Sequence, residues 1–363
     1  AHRGEGGRGR RRSALSLNLG TGTPAATRAG RSDGATGTKR PAAPEGGGER
    51  LVERAVYWGY RLAEGVINAL PRRVVLPVAA AVGNVAYDLA GSKSRLTREN
   101  LARPMGLDPD DRRVRAAARR AFRNYAKYLV DVMRIGELTT DQAHDLVEIA
   151  NPQILAEARG AGGTGVLVCT VHVGGMDLIG AGLRLHGESL HVVADDTTYG
   201  RLYDHLSAAR EKQHIFVIGW RNLRGLFRAL RDERNLVLFC DGGFRRGDVP
   251  VEFCGEPTTF PPGPATLAAK TGAAMVPVAA RRMPDERFLA AGLPLVRCAS
   301  TDPGDIYRAT QQLADELASV IREDPGQWYM FRPVWPQADG DRDWARRALG
   351  AARRGEDWTK IRS

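Results

Sequence analysis

The sequence is poor in cysteine and contains no apolar run long enough to cross a membrane as one helix. Four cysteines are spread over 363 residues, and two of them lie inside apolar runs, where a reduced, buried thiol is the usual state. This spacing implies no disulfide framework and favours a reducing, cytosolic environment. The most apolar stretch, residues 74–90, is interrupted by Pro77, Gly83 and Asp88 and falls short of the ~20 apolar residues of a spanning helix.

Two interpretations of residues 74–90 remain open. The stretch can form a buried or amphipathic helix pair within the fold. It can also lie on the membrane surface, where flanking cations contact lipid phosphates. Those flanking cations are Arg72, Arg73, Lys93 and Arg95. Both interpretations can hold for different faces of the same segment.

The first fifty residues lack aromatic residues and apolar periodicity. Such a composition cannot bury enough apolar surface to offset the entropy lost on ordering, so we predict that residues 1–50 are a disordered basic tail. They also lack the apolar core of a secretory signal. Of the net charge of +11, this segment carries +6 and the rest of the chain +5. A mildly basic folded part without zinc-finger spacing predicts no nucleic-acid partner, and an anionic membrane surface is expected instead.

Beyond residue 50 the apolar pattern changes once. From Leu51 to Asp131 apolar residues recur every three or four positions, which predicts helices. From Thr164 onward, short apolar runs alternate with amphipathic segments. The runs are residues 165–171, 190–195, 214–219, 235–241 and 273–280, and the predicted helices are 176–187, 200–213, 221–233, 263–272 and 304–324. We therefore predict an α/β fold with a mostly parallel central sheet flanked by helices, preceded by an N-terminal helical extension.

These patterns divide the chain into four predicted parts. A disordered tail (1–50) precedes a helical membrane-docking segment (51–150) and an α/β domain (151–336). The last part, 337–363, is a basic C-terminal tail in which two tryptophans are interleaved with arginines. A solvated helix is the preferred interpretation of that tail, with a second membrane contact as the alternative.

The strongest local pattern follows the first apolar run of the alternating region. It reads Val-His-Val-Gly-Gly-Met-Asp at 171–177, with His172 at the C-terminal end of a predicted strand, where ligands bind in open α/β sheets. The two glycines allow backbone and substrate to approach closely. Asp177 is predicted in the next helical turn, where its carboxylate can hydrogen-bond one imidazole nitrogen and leave the other to accept a proton. The pattern predicts a general base that activates a hydroxyl.

Other interpretations of these residues compete with this one. His172 and Asp177 can simply end a strand and begin a helix. Together with Cys169 they are metal-ligand types, but no His-Glu-x-x-His or paired Cys-x-x-Cys motif accompanies them, so we predict no metal site. Cys169 is disfavoured as a nucleophile by its place inside the strand. No Gly-x-Ser-x-Gly elbow occurs, and the glycine-rich residues 160–165 precede a strand, which excludes the dinucleotide-binding context.

Further motifs follow in order. Residues 239–280 combine an aspartate after a strand, a basic turn, a short apolar segment and a Gly-Pro-Ala helix ending in Thr-Gly-Ala. The chain reads Leu-Thr-Arg-Glu-Asn-Leu at 96–101 and Trp-Tyr-Met-Phe-Arg-Pro-Val-Trp at 328–335. Together with His172 and Asp177, this set resembles the lysophospholipid acyltransferase-like superfamily. The branch it resembles contains bacterial lipid A lauroyl/myristoyl acyltransferases and actinobacterial phosphatidylinositol mannoside acyltransferases.

The resemblance implies an αβα fold of the glycerophosphate acyltransferase type and an O-acyltransferase activity. In this family the histidine removes the proton of an acceptor hydroxyl as it attacks a thioester, and the acidic residue orients the histidine. We therefore expect His172 and Asp177 to be catalytic. A glycine-flanked loop with two guanidiniums suits phosphate recognition. The candidate substrate-binding residues are Arg201, Asp241, Arg245, Arg246 and Glu252.

The expected reaction moves a fatty-acyl group from acyl-CoA to a hydroxyl of a membrane glycolipid, with phosphatidylinositol mannoside as the best match. An acyl-carrier protein is the alternative donor, and no cofactor is expected besides the acyl-CoA substrate. The expected location is the cytoplasmic face of the plasma membrane, as a peripheral protein. Acylation of a lysophospholipid or a specialised metabolite, and a catalytically inactive lipid-binding protein, remain alternatives. The sequence departs from the branch at Gly175, Met176 and Gly242, which leaves acyl length and acceptor open.

Overall fold

Short apolar runs form a central sheet because their side chains are buried on both faces. The computed structural model describes residues 47–194 and 199–361, so the predicted tail lies outside the described residues up to residue 46. The strands are β1 (Val147–Ile149), β2 (Val166–Thr170), β3 (Leu190–Ala194), β4 (Ile215–Gly219), β5 (Asn235–Phe239), β6 (Val249–Phe253), β7 (Glu256–Phe260), β8 (Met275–Arg282) and β9 (Phe288–Gly292).

Within the described chain, seven of these strands form one sheet in the order β1-β9-β8-β2-β5-β3-β4. Neighbouring strands are parallel except for β8 and β9, which are antiparallel. The strands β6 and β7 pair as a separate antiparallel hairpin. The predicted α/β class with a mostly parallel sheet is confirmed. The predicted runs coincide with β2, β3, β4, β5 and β8, whereas β1, β9 and the hairpin are not among them.

The register of β2 and β5 determines which residues meet at the upper edge of the sheet. The two strands run in parallel with Thr170 opposite Phe239. The loops that follow both strands therefore begin side by side, with His172 two residues after one strand and Asp241 two residues after the other.

Helices cover the sheet and form the N-terminal part of the fold. They are α1 (Gly47–Ala69), α2 (Arg72–Leu89), α3 (Gly91–Met105), α4 (Arg112–Arg134), α5 (Thr140–Leu146), α6 (Gln153–Gly162), α7 (Met176–Arg184), α8 (Gly200–Glu211), α9 (Leu223–Arg231), α10 (Gly263–Thr271), α11 (Pro303–Glu323) and α12 (Asp339–Arg353). The helices α2 and α4 pack closely at Gly83, where an added Cβ would lie 2.6 Å from the Phe122 carbonyl oxygen. Only glycine fits that crossing without moving a backbone.

Three predicted boundaries differ from the structure. The helix α1 begins at Gly47, inside the predicted tail 1–50. The strand β1 falls inside the predicted helical segment 51–150 but pairs with β9 of the sheet, so the sheet begins before residue 151. The predicted C-terminal tail contains α12, whose Trp344 is 4% exposed, and Trp358 after it is 5% exposed. These indole rings pack on the fold because burial of large aromatic surface stabilises the contact. The stretch is therefore neither fully solvated nor an exposed aromatic membrane contact.

Residues 74–89 lie in one helix, α2, which has two different faces. One face, including Val75 and Leu76, is buried, as expected for a helix packed in the fold. The other face is exposed and apolar, as is one face of α1, and these exposed residues together with Leu70 are here called the apolar surface. It consists of Leu51, Val52, Trp58, Leu62, Val66, Leu70, Val74, Val78, Val82, Val85 and Leu89. Exposed apolar patches of this kind mark sites of interaction with proteins or membranes.

None of the helices in the described part of the chain could cross a membrane alone by length and composition, whereas α2 and α3 taken together, bent by 98°, meet that measure.

A buried ion cluster joins the N-terminal helices to the sheet. Asp131 on α4 accepts hydrogen bonds from Arg282 at the end of β8 and from Arg72 on α2. The Asp131 and Arg282 side chains are each 3% exposed. Such a cluster is costly to break, because without Asp131 the buried Arg282 would keep only Glu286, at 3.1 Å and 30% exposed, as its carboxylate partner.

We expect Asp131→Ala to lower the free energy of unfolding by about 3–5 kcal/mol, as measured by urea denaturation. The control is Asp343→Ala, which removes an exposed ion pair with Arg346 on α12 and should cost less than about 1 kcal/mol. Equal losses in the two variants would contradict the role of the buried cluster.

Candidate active site

His172 lies in a tight turn between β2 and α7. The backbone N–H of Tyr329 donates to the His172 carbonyl at 2.8 Å. Gly174 has φ of +65°, and an added Cβ there would lie 2.5 Å from the carbonyl oxygen of Ala280. The position therefore requires glycine both for its left-handed backbone and for the close approach of β8. The turn holds the histidine backbone at the upper edge of the sheet.

The carboxylate of Asp241 binds the imidazole of His172. Nδ1 of His172 lies 2.7 Å from Oδ1 of Asp241, and the backbone N–H of His172 donates to Oδ2 at 2.9 Å. An ionised carboxylate only accepts hydrogen bonds, so Nδ1 carries the proton of the neutral ring. This contact leaves Nε2 as the nitrogen with a free lone pair.

A third donor completes the environment of Asp241. The indole Nε1–H of Trp328 donates to Oδ2 at 2.8 Å, and the carboxylate is fully buried. Burial alone would raise the pKa of the Asp241 carboxyl. The interaction with His172 and the hydrogen bonds from His172 and Trp328 outweigh that effect and hold the pKa below its ordinary value. The group is therefore ionised at neutral pH.

The other side of the His172 ring is open to solvent and to a cavity. The ring stacks on Phe239 with centroids 4.4 Å apart, and 37% of the side chain is exposed. Among the described residues, Nε2 has no hydrogen-bond partner. A histidine oriented by a carboxylate at Nδ1, with Nε2 open, can accept a proton from a bound hydroxyl.

The predicted hydrogen bond between His172 and Asp177 is not formed in the structure. Asp177 is in the first turn of α7, as predicted, but its Oδ1 accepts from Nε of Arg210 at 2.6 Å. Its Oδ2 accepts from the hydroxyl of Tyr128 at 2.7 Å. The carboxylate is turned towards α4 and α8, where a nearly buried guanidinium neutralises it. Asp241, predicted to bind substrate, occupies the position beside the imidazole instead.

Asp177 therefore holds three helices together beside the site. Burial would raise the pKa of its carboxyl, but the charge and hydrogen bond of Arg210 and the hydrogen bond of Tyr128 lower it further than burial raises it. The same contact raises the pKa of Arg210. The two side chains remain a charged pair that links α7 to α8, with Tyr128 adding α4.

A cavity of about 820 Å³ extends from His172 between the sheet and α7. Its wall is mostly aliphatic, with residues from β2, β3, β4, β5 and α7. Examples are Val168, Ile179, Val192, Ile215 and Val237. Leu190 and Ile215 are the first residues of β3 and β4, and they also line the cavity. They lie at the opposite end of the strands from His172, so the cavity runs along most of the strand length. Its size and apolar wall suit a long aliphatic chain.

The other predicted substrate-binding residues are dispersed. Arg245 lines the cavity. Arg246 instead pairs with Asp341 at 2.5 Å, and Glu252 pairs with Arg353 at 2.6 Å; neither lines the cavity. Arg201 lies in the first turn of α8, where its backbone N–H donates to Glu53 of α1, and it does not line the cavity either.

The competing metal and thiol interpretations find no geometric support. In the part of the chain that the structure describes, no group of three or more His, Cys, Asp or Glu side chains is arranged to hold a metal ion. Cys169 is fully buried within β2. Its thiol lies 3.7 Å from the Leu167 carbonyl oxygen, and Cys169 does not line the cavity.

Sequence reasoning missed several residues that shape the site. Trp328 belongs to a sequence motif, but the motif does not indicate that its indole donates to Asp241. Arg210 and Tyr128 carried no signal of their own, because they lie inside ordinary helical patterns. The sequence identifies Phe239 as an apolar strand residue but gives no sign that it stacks on the imidazole. Parallel strand ends that are distant in sequence could have indicated Asp241 as a partner of His172.

The site lies in a chain with clear relatives. Residues 49–337 match the family model for bacterial lipid A biosynthesis acyltransferases. The chain is 29% identical over 285 residues to the phosphatidylinositol mannoside acyltransferase of Mycolicibacterium smegmatis, covering 76% of this chain and 90% of that protein. It is 29% identical over 316 residues to the protein of the same name from Mycobacterium tuberculosis, covering 83% of this chain and 94% of that protein.

We expect the Asp177–Arg210 pair to appear in the acid dependence of stability. The pKa of Asp177 is lower in the folded than in the unfolded chain, so its stabilising contribution is complete above the unfolded value of about 4. The contribution is lost as the pH falls through the lower folded value. Below pH ~4 the unfolding free energy of the wild type should therefore fall more steeply than that of Asp177→Asn.

Urea denaturation between about pH 6 and pH 3 measures this difference. The control Asp343→Asn changes an exposed aspartate and should keep the wild-type slope. Parallel pH curves for the wild type and Asp177→Asn would contradict the assignment of a depressed pKa to this carboxyl.

Proposed function

The chain belongs to the family of bacterial lipid A biosynthesis acyltransferases and is an O-acyltransferase, and from this premise we propose how it acts. It transfers a fatty-acyl group from acyl-CoA to a hydroxyl of a phosphatidylinositol mannoside. His172 is the general base, and Asp241, rather than the predicted Asp177, is the carboxylate that orients it. The observation that carries this proposal is the 2.7 Å contact between Nδ1 of His172 and Oδ1 of Asp241 at the mouth of the apolar cavity.

The reaction needs a base because an alcohol is a poor nucleophile at neutral pH. The acceptor oxygen attacks the thioester carbonyl while its proton passes to Nε2 of His172. The new C–O bond forms, the C–S bond breaks, and the proton is returned to the departing thiolate, which leaves as a thiol. Asp241 stabilises the imidazolium formed in between. No covalent enzyme intermediate and no further cofactor are required.

The cavity supports a fatty-acyl donor. An aliphatic wall excludes water from a hydrocarbon chain and gains about 25 cal/mol for each Å² of apolar surface buried. His172 stands where the cavity opens, so a chain bound within it presents its thioester carbonyl near Nε2. Acyl-CoA and acyl-carrier protein both present the acyl group as a thioester, so this arrangement suits either donor. We propose coenzyme A as the carrier.

The names of the relatives support the acceptor. Both compared proteins are named phosphatidylinositol mannoside acyltransferases and match this chain over most of their length. A glycolipid in a bilayer can reach the site only if the enzyme lies on the membrane. We place the protein on the cytoplasmic face of the plasma membrane, as a peripheral protein. Four free thiols are consistent with that reducing side.

The apolar surface of α1 and α2 supports this membrane position. Its side chains are those of an interfacial helix pair, and exposed cations such as Arg54, Arg73, Lys93 and Arg95 border it. Apolar insertion and attraction to anionic lipids together give reversible binding. This surface gives the predicted membrane-docking role of the N-terminal helices a physical basis.

The mechanism predicts that turnover depends on both His172 and Asp241. We expect His172→Ala to lower kcat by about 10²–10⁴-fold, and Asp241→Asn to lower it by a similar factor, because the base is lost or held in the wrong tautomer. Thiol release from palmitoyl-CoA in the presence of the glycolipid measures this. Both variants should keep their circular dichroism spectra and palmitate binding.

Asp343→Asn on α12 is the control and should keep wild-type kcat. Wild-type turnover that survives in His172→Ala would exclude the general base. Turnover with an acyl-carrier protein but not with acyl-CoA would change the proposed donor and leave the base intact.

The membrane position predicts that charge in the apolar surface weakens lipid binding. Val78 and Val82 are each 58% exposed, and burying both in lipid would contribute about 3 kcal/mol. We expect Val78→Asp/Val82→Asp to weaken binding to phosphatidylglycerol vesicles at least about tenfold, as measured by co-sedimentation. Leu223→Asp, which is equally exposed on α9, should bind as the wild type does. Equal loss in both variants would argue against a specific membrane surface.

A further inference from the structure

Four arginines line the cavity that opens at His172: Arg210, Arg221, Arg245 and Arg332. They are not equivalent. Arg210 is neutralised by Asp177. Arg221 follows β4 at the edge of the sheet, with its guanidinium 5.0 Å from the Trp220 ring centroid. The remaining two, Arg245 and Arg332, border the loop that follows Asp241.

The loop after Asp241 lies directly against the segment that contains Arg332. Gly243 has φ of +94°, and an added Cβ would lie 2.7 Å from the carbonyl oxygen of Pro333 and 3.8 Å from Cδ of Arg332. Arg245 is two residues further along the same loop. The two arginines therefore belong to one small region beside the Asp241–His172 pair.

Both arginines have fixed backbones and exposed side chains. The Arg245 backbone is bonded in both directions to the Thr259 hydroxyl, which accepts from its N–H at 2.9 Å and donates to its carbonyl at 3.1 Å. The carbonyl of Arg332 accepts from the Asn100 amide at 2.8 Å. Fixed backbones reduce the entropy lost when the guanidiniums bind a ligand.

Neither guanidinium forms an ion pair with a carboxylate among the described residues, unlike Arg210. Asp248 acts on Arg245 from a greater distance, and burial raises the pKa of that carboxyl to about 6. Two positive charges without a carboxylate partner among the described residues thus line the same cavity as His172. Such a pair favours an anionic ligand with several oxygen acceptors.

We propose that Arg245 and Arg332 together bind a phosphate group of the substrate beside His172. The inference rests on the proposed function and assigns a binding role to Arg332, which no sequence motif singled out for that purpose. The proposed donor and the proposed acceptor both carry phosphate, the one in coenzyme A and the other in a phosphoinositol headgroup. The shared chemistry is a phosphate ester held by two planar guanidiniums.

Binding of soluble probes to the full chain tests this without depending on turnover. Isothermal titration at low salt compares coenzyme A with pantetheine, and glycerophosphoinositol with myo-inositol. Each phosphate probe also carries a second group, adenosine or glycerol, which its counterpart lacks. The loss of affinity in the arginine variant, and its dependence on salt, therefore report the phosphate contact itself. The proteins are the wild type, Arg245→Gln/Arg332→Gln, and the control Arg231→Gln/Arg346→Gln. The control removes two exposed arginines outside the cavity lining and the same net charge.

The wild type should bind at least one phosphate probe more tightly than its phosphate-free counterpart. Arg245→Gln/Arg332→Gln should lose about tenfold in affinity for each charge-assisted contact removed. It should bind the phosphate-free probes as the wild type does. The probe pair that responds identifies the source of the phosphate: coenzyme A indicates the donor and glycerophosphoinositol the acceptor. Added salt should weaken only the phosphate probes.

Three results would overturn the inference. The phosphate probes could bind the wild type no more tightly than their counterparts. The double variant could retain wild-type affinity, or the control could lose as much as the double variant. Failure of the proposed function is a different result, because it appears as absent thiol release in the wild type, whatever the titrations show.

Discussion

A charged carboxylate buried between two strand ends is tolerated only when its oxygens are hydrogen-bonded, and Asp241 meets that condition through three donors. Two of them belong to His172, its ring and its own backbone N–H, and the third is the indole of Trp328. The contact that satisfies the buried charge therefore also fixes the strand end that carries the imidazole. The same hydrogen bonds therefore satisfy the buried carboxylate and orient the proposed base.

The two aspartates near the histidine show how neighbours, rather than residue type, decide a role. Both carboxylates are buried, and both have pKa values lowered by the partners that surround them. Asp177 meets a permanent cation, Arg210, and links helices. Asp241 meets an imidazole whose second nitrogen faces a cavity. An arginine cannot give up its proton at neutral pH, so Asp177 supports the scaffold and Asp241 is in a position to take part in chemistry.

The sequence predicted the site as far as local patterns reach. Apolar runs predicted β2 and β5, and the turn after β2 placed His172 at a ligand-binding edge. The partner of the histidine was missed because β2 and β5 are about seventy residues apart and become neighbours only in the sheet order. The helical position of Asp177 was right, but the direction of its side chain depends on Arg210 from another helix. Adjacent Arg245 and Arg246 have different surroundings for the same reason. Arg245 lines the cavity and Arg246 pairs with Asp341 of α12, and these contacts depend on the tertiary structure around the turn.

The close crossing at Gly83 has a consequence for how a lipid would meet the enzyme. The helix α2 carries part of the apolar surface, and at Gly83 its backbone touches α4. The same helix α4 supplies Tyr128 to Asp177 at the edge of the cavity. The apolar surface and the edge of the cavity are thus both held by contacts with the same helix, α4. If the apolar surface rests in a bilayer, the imidazole stands at a constant height above the lipid plane, and the hydroxyl that is acylated is the one whose headgroup extends to that height.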